Sequence, residues 1–304
     1  MLRALFIGLS TSRRLRSFAE HSSMGQKMSR RFVAGTTVEE LLAATQEVNR
    51  RGMSVSVDNL GENVTNAEEA KQSAQLYHQL LDLITERKLD ANVSLKLTHM
   101  GLDVDEKLCR EIVSGLAEHA ARVNSFVRVY MEGSPYTQKT LDFVHELHER
   151  HPGKVGAVIQ AYLIRSEKDV QDLLAKRIRI RLCKGAYKEP ASIAFQKKKD
   201  VDANYVKLTK MLLKSGVYHG IATHDENIIR ETTAFAKAEK IPAEAFEFQM
   251  LHGIRRDLQE QLVKDGWRMR VYIPFGTEWY PYFMRRLAER PANALFIAKN
   301  LFRR

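Results

Sequence analysis

The chain has only two cysteines in 304 residues, Cys109 and Cys183. They lie outside any C-x-x-C pair and have no companion ligands at metal spacing, so neither a disulfide scaffold nor a cysteine-based metal site is expected. Cys109 falls in a helical pattern and Cys183 at a strand end, and both are expected as reduced thiols in a cytosol-like compartment. No stretch reaches the roughly 18–20 apolar residues of a membrane-spanning helix. No G-x-G-x-x-G follows a strand pattern, which disfavours a dinucleotide-binding sheet. A phosphate-binding loop with its lysine, a nucleophile elbow and paired carboxylates at a helix start are also missing. Net charge is +11, yet the basic residues form no compact tract interleaved with aromatics. The densest cluster, Lys197-Lys198-Lys199, reads as a solvated helix face. The positive surplus therefore favours anionic small molecules or an acidic lipid surface, and nucleic acid is not expected as a partner. Acids are absent from the first 19 residues, which carry Arg3, Arg13, Arg14 and Arg16. That composition fits an organelle transit peptide or a basic amphipathic helix of the fold. The second reading is preferred, because Leu2, Leu5, Phe6 and Leu9 recur at helical spacing and no clear cleavage context follows.

What the chain does have is alternation. Short β-branched and apolar runs occur at 53–57, 92–97, 126–131, 155–159, 178–183, 218–222, 245–248 and 269–273. An amphipathic helical pattern follows each. Thr36 or Thr37, Asn66, Thr137 and Ser166 stand where side-chain caps belong, and Gly52 stops the first helix. Pro274 and Gly276 are expected to end the last strand. Strict alternation over eight units argues for a parallel sheet, and eight units in roughly 250 residues fit a (β/α)8 TIM-type barrel. The fold class is thus α/β. With no linker-like stretch, the chain reads as an N-terminal helical extension over 1–35 and one barrel domain over 36–304.

In such barrels the chemistry sits at the C-terminal ends of the strands. Those ends carry Asp58 and Glu62, Lys96 and His99, Glu132, Gln160, Arg181 and Lys184, His224, Gln249 and His252, and Tyr272. A polar group at all eight ends, several of them cationic, suggests a large, partly planar anionic ligand in the mouth. Arg181 and Lys184 could instead pair with Glu132 and Asp58. His224 and His252 lack a third ligand at metal spacing, so no metal is expected. With cations and amides but little to attack a carbonyl or phosphate, the site points to a tightly bound organic cofactor. On the last helix, Tyr282, Arg285, Arg286 and Glu289 share one face at i, i+3, i+4 and i+7. Adjacent arginines can hold one carboxylate between two rigid donor forks. The same stripe could also be a solvated basic face.

Several segments carry a resemblance when taken in order: Arg31-Phe-Val-Ala-Gly35, Asp58-Asn-Leu-Gly-Glu62, Ser94-Leu-Lys-Leu97, Gln160-Ala-Tyr162, Arg181-Leu-Cys-Lys-Gly-Ala-Tyr187, Thr223-His-Asp225, Phe248-Gln-Met-Leu-His-Gly253 and Tyr282-Phe-Met-Arg-Arg-Leu-Ala-Glu-Arg290. Across nearly the whole chain they resemble monofunctional bacterial proline dehydrogenases, which are FAD-dependent barrel enzymes. The resemblance implies oxidation of L-proline to Δ1-pyrroline-5-carboxylate, with electrons passed to membrane quinone. It implies that Arg285 and Arg286 clamp the proline carboxylate, that Lys96, Tyr272 and Tyr282 shape the substrate pocket, and that Arg181 lies near flavin N5. Gln160, Cys183, Lys184, Gly185, Ala186, Thr223, His224, Asp225, Gln249, His252 and Glu289 would contact or flank the FAD. Tyr282 would disfavour a ring hydroxyl, so proline is preferred over hydroxyproline. Tyr130-Met131-Glu132 departs from the family's usual Asp-Met-Glu. The chain has no aldehyde dehydrogenase segment, so a separate pyrroline-5-carboxylate dehydrogenase is expected downstream. A cytoplasmic location is expected, with peripheral membrane contact through the basic N-terminal helix. Alternative readings are a flavin-dependent dehydrogenase of another cyclic amino acid, or a flavin-binding paralogue impaired in turnover.

Overall fold

The structure is a computed structural model that describes residue 22, residues 31–61 and residues 64–289, with the backbone alone for 285–289. Nearly all of the expected N-terminal extension, and Glu62, lie outside the described residues.

Eight strands form a closed barrel in sequence order. They are β1 (Ser54–Asn59), β2 (Ala91–Leu95), β3 (Val127–Val129), β4 (Val155–Gln160), β5 (Arg179–Cys183), β6 (His219–Ala222), β7 (Phe246–Leu251) and β8 (Met269–Phe275). All neighbours are parallel, and β8 closes on β1 with Val55 opposite Val271 and Asp58 opposite Pro274. Helix α1 (Val38–Arg50) precedes β1. Then α2 (Ala67–Glu86), α3 (Glu106–Arg122), α4 (Ser134–Arg150), α5 (Ser166–Ala175), α6 (Lys198–Lys214), α7 (Glu226–Ala238), α8 (Arg256–Lys264) and α9 (Trp279–Glu289) follow the strands in turn.

Several helix starts are local. The Thr37 side chain accepts from the Glu40 N–H, and the Glu40 carboxylate reaches back in a capping box. Asn66 and Asp105 cap α2 and α3 with their side-chain oxygens alone. Two expected caps do not form. Thr137 is buried inside α4, which begins at Ser134 with Pro135 in its first turn. Its cap comes from a distant loop: Glu189 accepts from the Ser134 N–H and hydroxyl at 2.7 Å each. Ser166 is the first residue of α5, and its hydroxyl accepts from Asn204 Nδ2 at 2.9 Å. The last strand also runs past its expected end. Pro274 stays in β8, where its carbonyl accepts from the Ala34 N–H at 2.9 Å, and Gly276 (φ +118°) makes the turn. A proline is tolerated at a strand end, where the ladder no longer needs its donor.

The apolar core lies between the barrel wall and the helices. Val55, Val57, Val93, Leu95, Val127 and Val129 point outward into it and are fully buried. The alternate positions fill the barrel interior, and many of them are polar or charged: Ser56, Asp58, Asn92, Ser94, Arg128, Glu247 and Gln249. A barrel of this type is ordinarily filled with branched apolar side chains.

Candidate active site

Two layers of polar side chains stand in the barrel, and they differ in how they are satisfied. In the floor, Glu247 of β7 is buried, and its Oε1 accepts from Arg270 Nε at 2.7 Å and Gln249 Nε2 at 2.6 Å. Its Oε2 accepts from the Tyr218 hydroxyl at 2.7 Å. Burial alone would raise the Glu247 pKa, but the Arg270 charge and these donors hold it below the usual carboxylate range. Arg270 Nη1 also donates to the Val55 carbonyl at 2.7 Å and to Asn92 Oδ1 at 3.1 Å. Arg128 Nη1 donates to the Ala157 and Arg179 carbonyls. Burial pulls the Arg128 pKa down to about 9, against the pull of Glu247. Gly156 makes room for this side chain, because a Cβ there would lie 2.5 Å from Arg128 Nη1.

At the mouth the pairing is incomplete. Arg181 Nε donates to Gln249 Oε1 at 2.7 Å, and the guanidinium carbon lies 5.2 Å from the centre of the Tyr130 ring. Among the described residues the two terminal nitrogens of Arg181 take no hydrogen bond. The Tyr130 ring also leans on Tyr272 at 5.6 Å between centroids. Tyr272 donates to Asp58 Oδ2, and burial together with that carboxylate keeps the phenol protonated. Three buried atoms at the ends of β3 and β4 have no partner: the Tyr130 hydroxyl, Gln160 Oε1 and the Tyr162 hydroxyl. A buried unsatisfied polar group costs about 1–3 kcal/mol, so the Tyr130 hydroxyl, whose ring lies against the Arg181 guanidinium, and Gln160 Oε1 at the end of the next strand mark a place where a polar ligand is accommodated.

The loop after β5 borders the same mouth. Gly185 has φ +101°, and a Cβ there would fall 2.1 Å from the Tyr162 ring. Lys184 Nζ binds Asp225 Oδ2 at 2.9 Å and Asp202 Oδ1 at 2.5 Å. Asp225 also caps α7, and the Thr223 hydroxyl accepts from its N–H. The pairing of Arg181 or Lys184 with Glu132 or Asp58 therefore does not form. Glu132 accepts from the Thr98 N–H and hydroxyl, and Asp58 from Tyr272.

The remaining expected residues fall as follows. Lys96 follows β2 directly and is half-buried. Cys183 ends β5 as a half-buried free thiol, and Ala186 is exposed on the loop. His224 Nε2 accepts from the Leu251 N–H at 3.1 Å, tying the β6 loop to β7. The His252 N–H donates to the Tyr272 carbonyl at 2.9 Å, and burial lowers the imidazole pKa to about 4. His99, by contrast, turns away from the mouth: it meets Ser73 Oγ of α2 at 2.9 Å and packs against Gly61. Tyr282 is buried on α9 in a cluster with Phe32, Leu60, Tyr272 and Phe283. The backbone positions of Arg285, Arg286 and Glu289 lie on α9, but their side chains are outside the described residues. The floor network of Arg128, Glu247 and Arg270 was missed from the sequence, although the signal was visible. Phe126-Val-Arg-Val129, Phe246-Glu-Phe-Gln249 and Met269-Arg-Val-Tyr272 each alternate a charge with an apolar residue at the period of a strand.

Comparison with known proteins fits this geometry. A family model described as Proline dehydrogenase matches residues 41–299. Proline dehydrogenase 1 of Bacillus subtilis subsp. natto is 41% identical over 305 residues, covering 100% of both chains. The Proline dehydrogenase of Deinococcus radiodurans is 39% identical over 287 residues, covering 91% of this chain and 90% of that one. A crystal structure of proline utilization A (PutA) from Bdellovibrio bacteriovorus inactivated by N-propargylglycine superposes with a TM-score of 0.83 at 26% identity. It matches 88% of this chain, which spans only 33% of that longer protein. With its closed barrel and a family match over most of its length, the chain belongs to the proline dehydrogenase family of oxidoreductases.

Proposed function

We propose that this enzyme oxidises L-proline to Δ1-pyrroline-5-carboxylate with FAD held at the barrel mouth. The observation that carries the flavin reading is the rim itself. The Tyr130 hydroxyl, Gln160 Oε1 and the Tyr162 hydroxyl are buried without partners, and the Tyr130 ring lies against an Arg181 whose terminal nitrogens take no hydrogen bond among the described residues. This donor and acceptor set suits the edge of a planar heterocycle. FAD supplies the two-electron acceptor when bound.

The chain's own residues supply orientation and charge. Arg285 and Arg286, one turn beyond Tyr282, hold the substrate carboxylate. Tyr272 and Tyr282 wall the ring, with the Tyr272 phenol locked by Asp58. Lys96 borders the same pocket. The positive potential of the arginines disfavours an extra proton on the substrate amine, which must be neutral before C5 is oxidised. Gln160, Gln249 and the Cys183–Ala186 loop frame the cofactor, with Thr223, His224, Asp225, His252 and Glu289 around it. Orientation of this kind contributes on the order of 7–11 kcal/mol in favourable intramolecular cases.

Electrons then pass to a membrane quinone, which calls for contact between this cytoplasmic enzyme and the inner face of a membrane. The basic segment with Leu2, Leu5, Phe6 and Leu9 is the proposed contact, and a separate pyrroline-5-carboxylate dehydrogenase takes the product. Among the described residues no helix is long and apolar enough to cross a membrane.

The test is the visible spectrum of the purified protein before and after anaerobic L-proline. The expected result is a flavin spectrum that bleaches, and treatment with N-propargylglycine should abolish the bleaching. A flavin spectrum indifferent to proline would move the substrate to another cyclic amino acid or identify an impaired paralogue. No flavin after reconstitution with FAD would overturn the cofactor reading.

A further inference from the structure

We propose that Glu247, in the barrel floor, is a positioning residue that sets the orientation of the Arg181 guanidinium through Gln249. The inference deepens the proposed flavin site and rests on it only where FAD is the probe.

An ionised carboxylate can only accept hydrogen bonds. Glu247 receives Arg270 Nε, the Tyr218 hydroxyl and Gln249 Nε2, the last at 2.6 Å. The NH2 end of the Gln249 amide must therefore face down the barrel, and its oxygen must face up. That oxygen accepts from Arg181 Nε at 2.7 Å. The two ends of an amide are told apart only by their partners, and Glu247 supplies the asymmetry. With a neutral group in its place the amide could turn, and an N–H would then oppose the Arg181 N–H.

The β6 backbone is shaped for this arrangement. A Cβ at Gly220, which pairs with both Arg181 and Glu247 in the sheet, would lie 2.4 Å from Gln249 Nε2. Both immediate partners of Arg181, the Gln249 oxygen and the Tyr130 ring, are neutral. Among the described residues the guanidinium is thus held in place without a counter-charge in contact. The Glu247 carboxylate is spent on Arg270. What reaches the mouth is a fixed fork of charged donors, the arrangement that stabilises an anionic ligand most strongly where water is excluded.

The experiment uses Gln249→Met, Glu247→Gln and Glu247→Asp. Gln249→Met cuts the link and leaves the Glu247–Arg270 pair intact. Glu247→Asp keeps a negative charge in the floor but draws back Oε1, the oxygen that Gln249 Nε2 shares with Arg270 Nε, so the proposal stays testable if Glu247→Gln does not fold. The first readout needs no cofactor. The Arg181 Nε–H signal in proton–nitrogen NMR spectra is assigned by its loss in Arg181→Lys. It should exchange slowly in the parent protein and at least about tenfold faster in each variant, in line with the loss of one hydrogen bond. Glu247→Asp should add nothing to Gln249→Met, because both break the same chain. The second readout is the dissociation constant for FAD, expected to rise about tenfold. Unchanged Nε–H protection in Gln249→Met or in folded Glu247→Asp would overturn the relay, as would additive effects. Altered protection in a protein that binds no FAD would keep the relay and overturn the flavin reading alone.

Discussion

The floor and the mouth of this barrel contain the same kinds of side chain and treat them in opposite ways. In the floor, Glu247 accepts from Arg270, Gln249 and Tyr218, and Arg128 and Arg270 each reach backbone carbonyls through Nη1. At the ends of β3 and β4, the Tyr130 hydroxyl, Gln160 Oε1 and the Tyr162 hydroxyl are buried without a partner among the described residues. Polar groups that close on one another hold the barrel together. Groups left open cost stability until a ligand meets them. The join between the two layers is Gln249, bonded to Glu247 below and Arg181 above.

The sharpest way to break the contrast is to strip the floor of one partner. Arg270→Met leaves the Glu247 carboxylate buried without its cation, and unfolding in guanidinium should show a loss of about 3–5 kcal/mol. At the mouth, Arg285→Met or Arg286→Met should raise KM for proline by about 10–100-fold with FAD retained, the scale of a lost charge-assisted hydrogen bond. Unchanged KM in both would remove the carboxylate clamp. Gly185→Ala forces a side chain onto a left-handed turn against the Tyr162 ring. About 1–3 kcal/mol of strain should appear as a lower melting temperature and weaker FAD retention.

The contrast sharpens with Gln160→Met and Tyr162→Phe. Removing unpaired polar atoms, with only the long 3.4 Å bond from Gln160 Nε2 to the Met131 carbonyl lost beside them, should leave stability level or raise it by up to about 1 kcal/mol, while FAD binds about tenfold more weakly. A stability loss of floor size would erase the distinction between the layers.

The smallest effect concerns pH. His219 is buried beside α6, accepts from the Ile180 N–H, and is held neutral with its pKa lowered to about 3 by burial and by Arg128. Below the ordinary value of about 6.5, the unfolded chain takes up a proton that the folded one refuses, so stability falls as pH drops. Its share between pH 7.5 and 6 stays under about 1 kcal/mol. Urea midpoints against pH should show a shallower slope in His219→Gln.

The barrel was legible because its signals are local. Alternating runs mark strands, and Thr37 and Asn66 sit directly before the helices they cap. Thr137 and Ser166 looked like the same signal and failed, because the groups that settle those helix starts, Glu189 and Asn204, come from remote segments. The cationic strand ends were legible too, but not their pairing. Lys184 meets Asp202 and Asp225, not Glu132 or Asp58.

What the sequence determined by itself is the order of eight strand–helix units and the family motifs along them, since both depend on neighbours a few residues apart. The tertiary structure alone decided which charges are satisfied. Arg181 and Gln249 are 68 residues apart, and Tyr272 and Asp58 are 214 apart. A hydrogen bond acts over about 3 Å, and only closure of the barrel brings such groups within that distance. The same closure leaves the Tyr130 and Tyr162 hydroxyls and Gln160 Oε1 with none among the described residues.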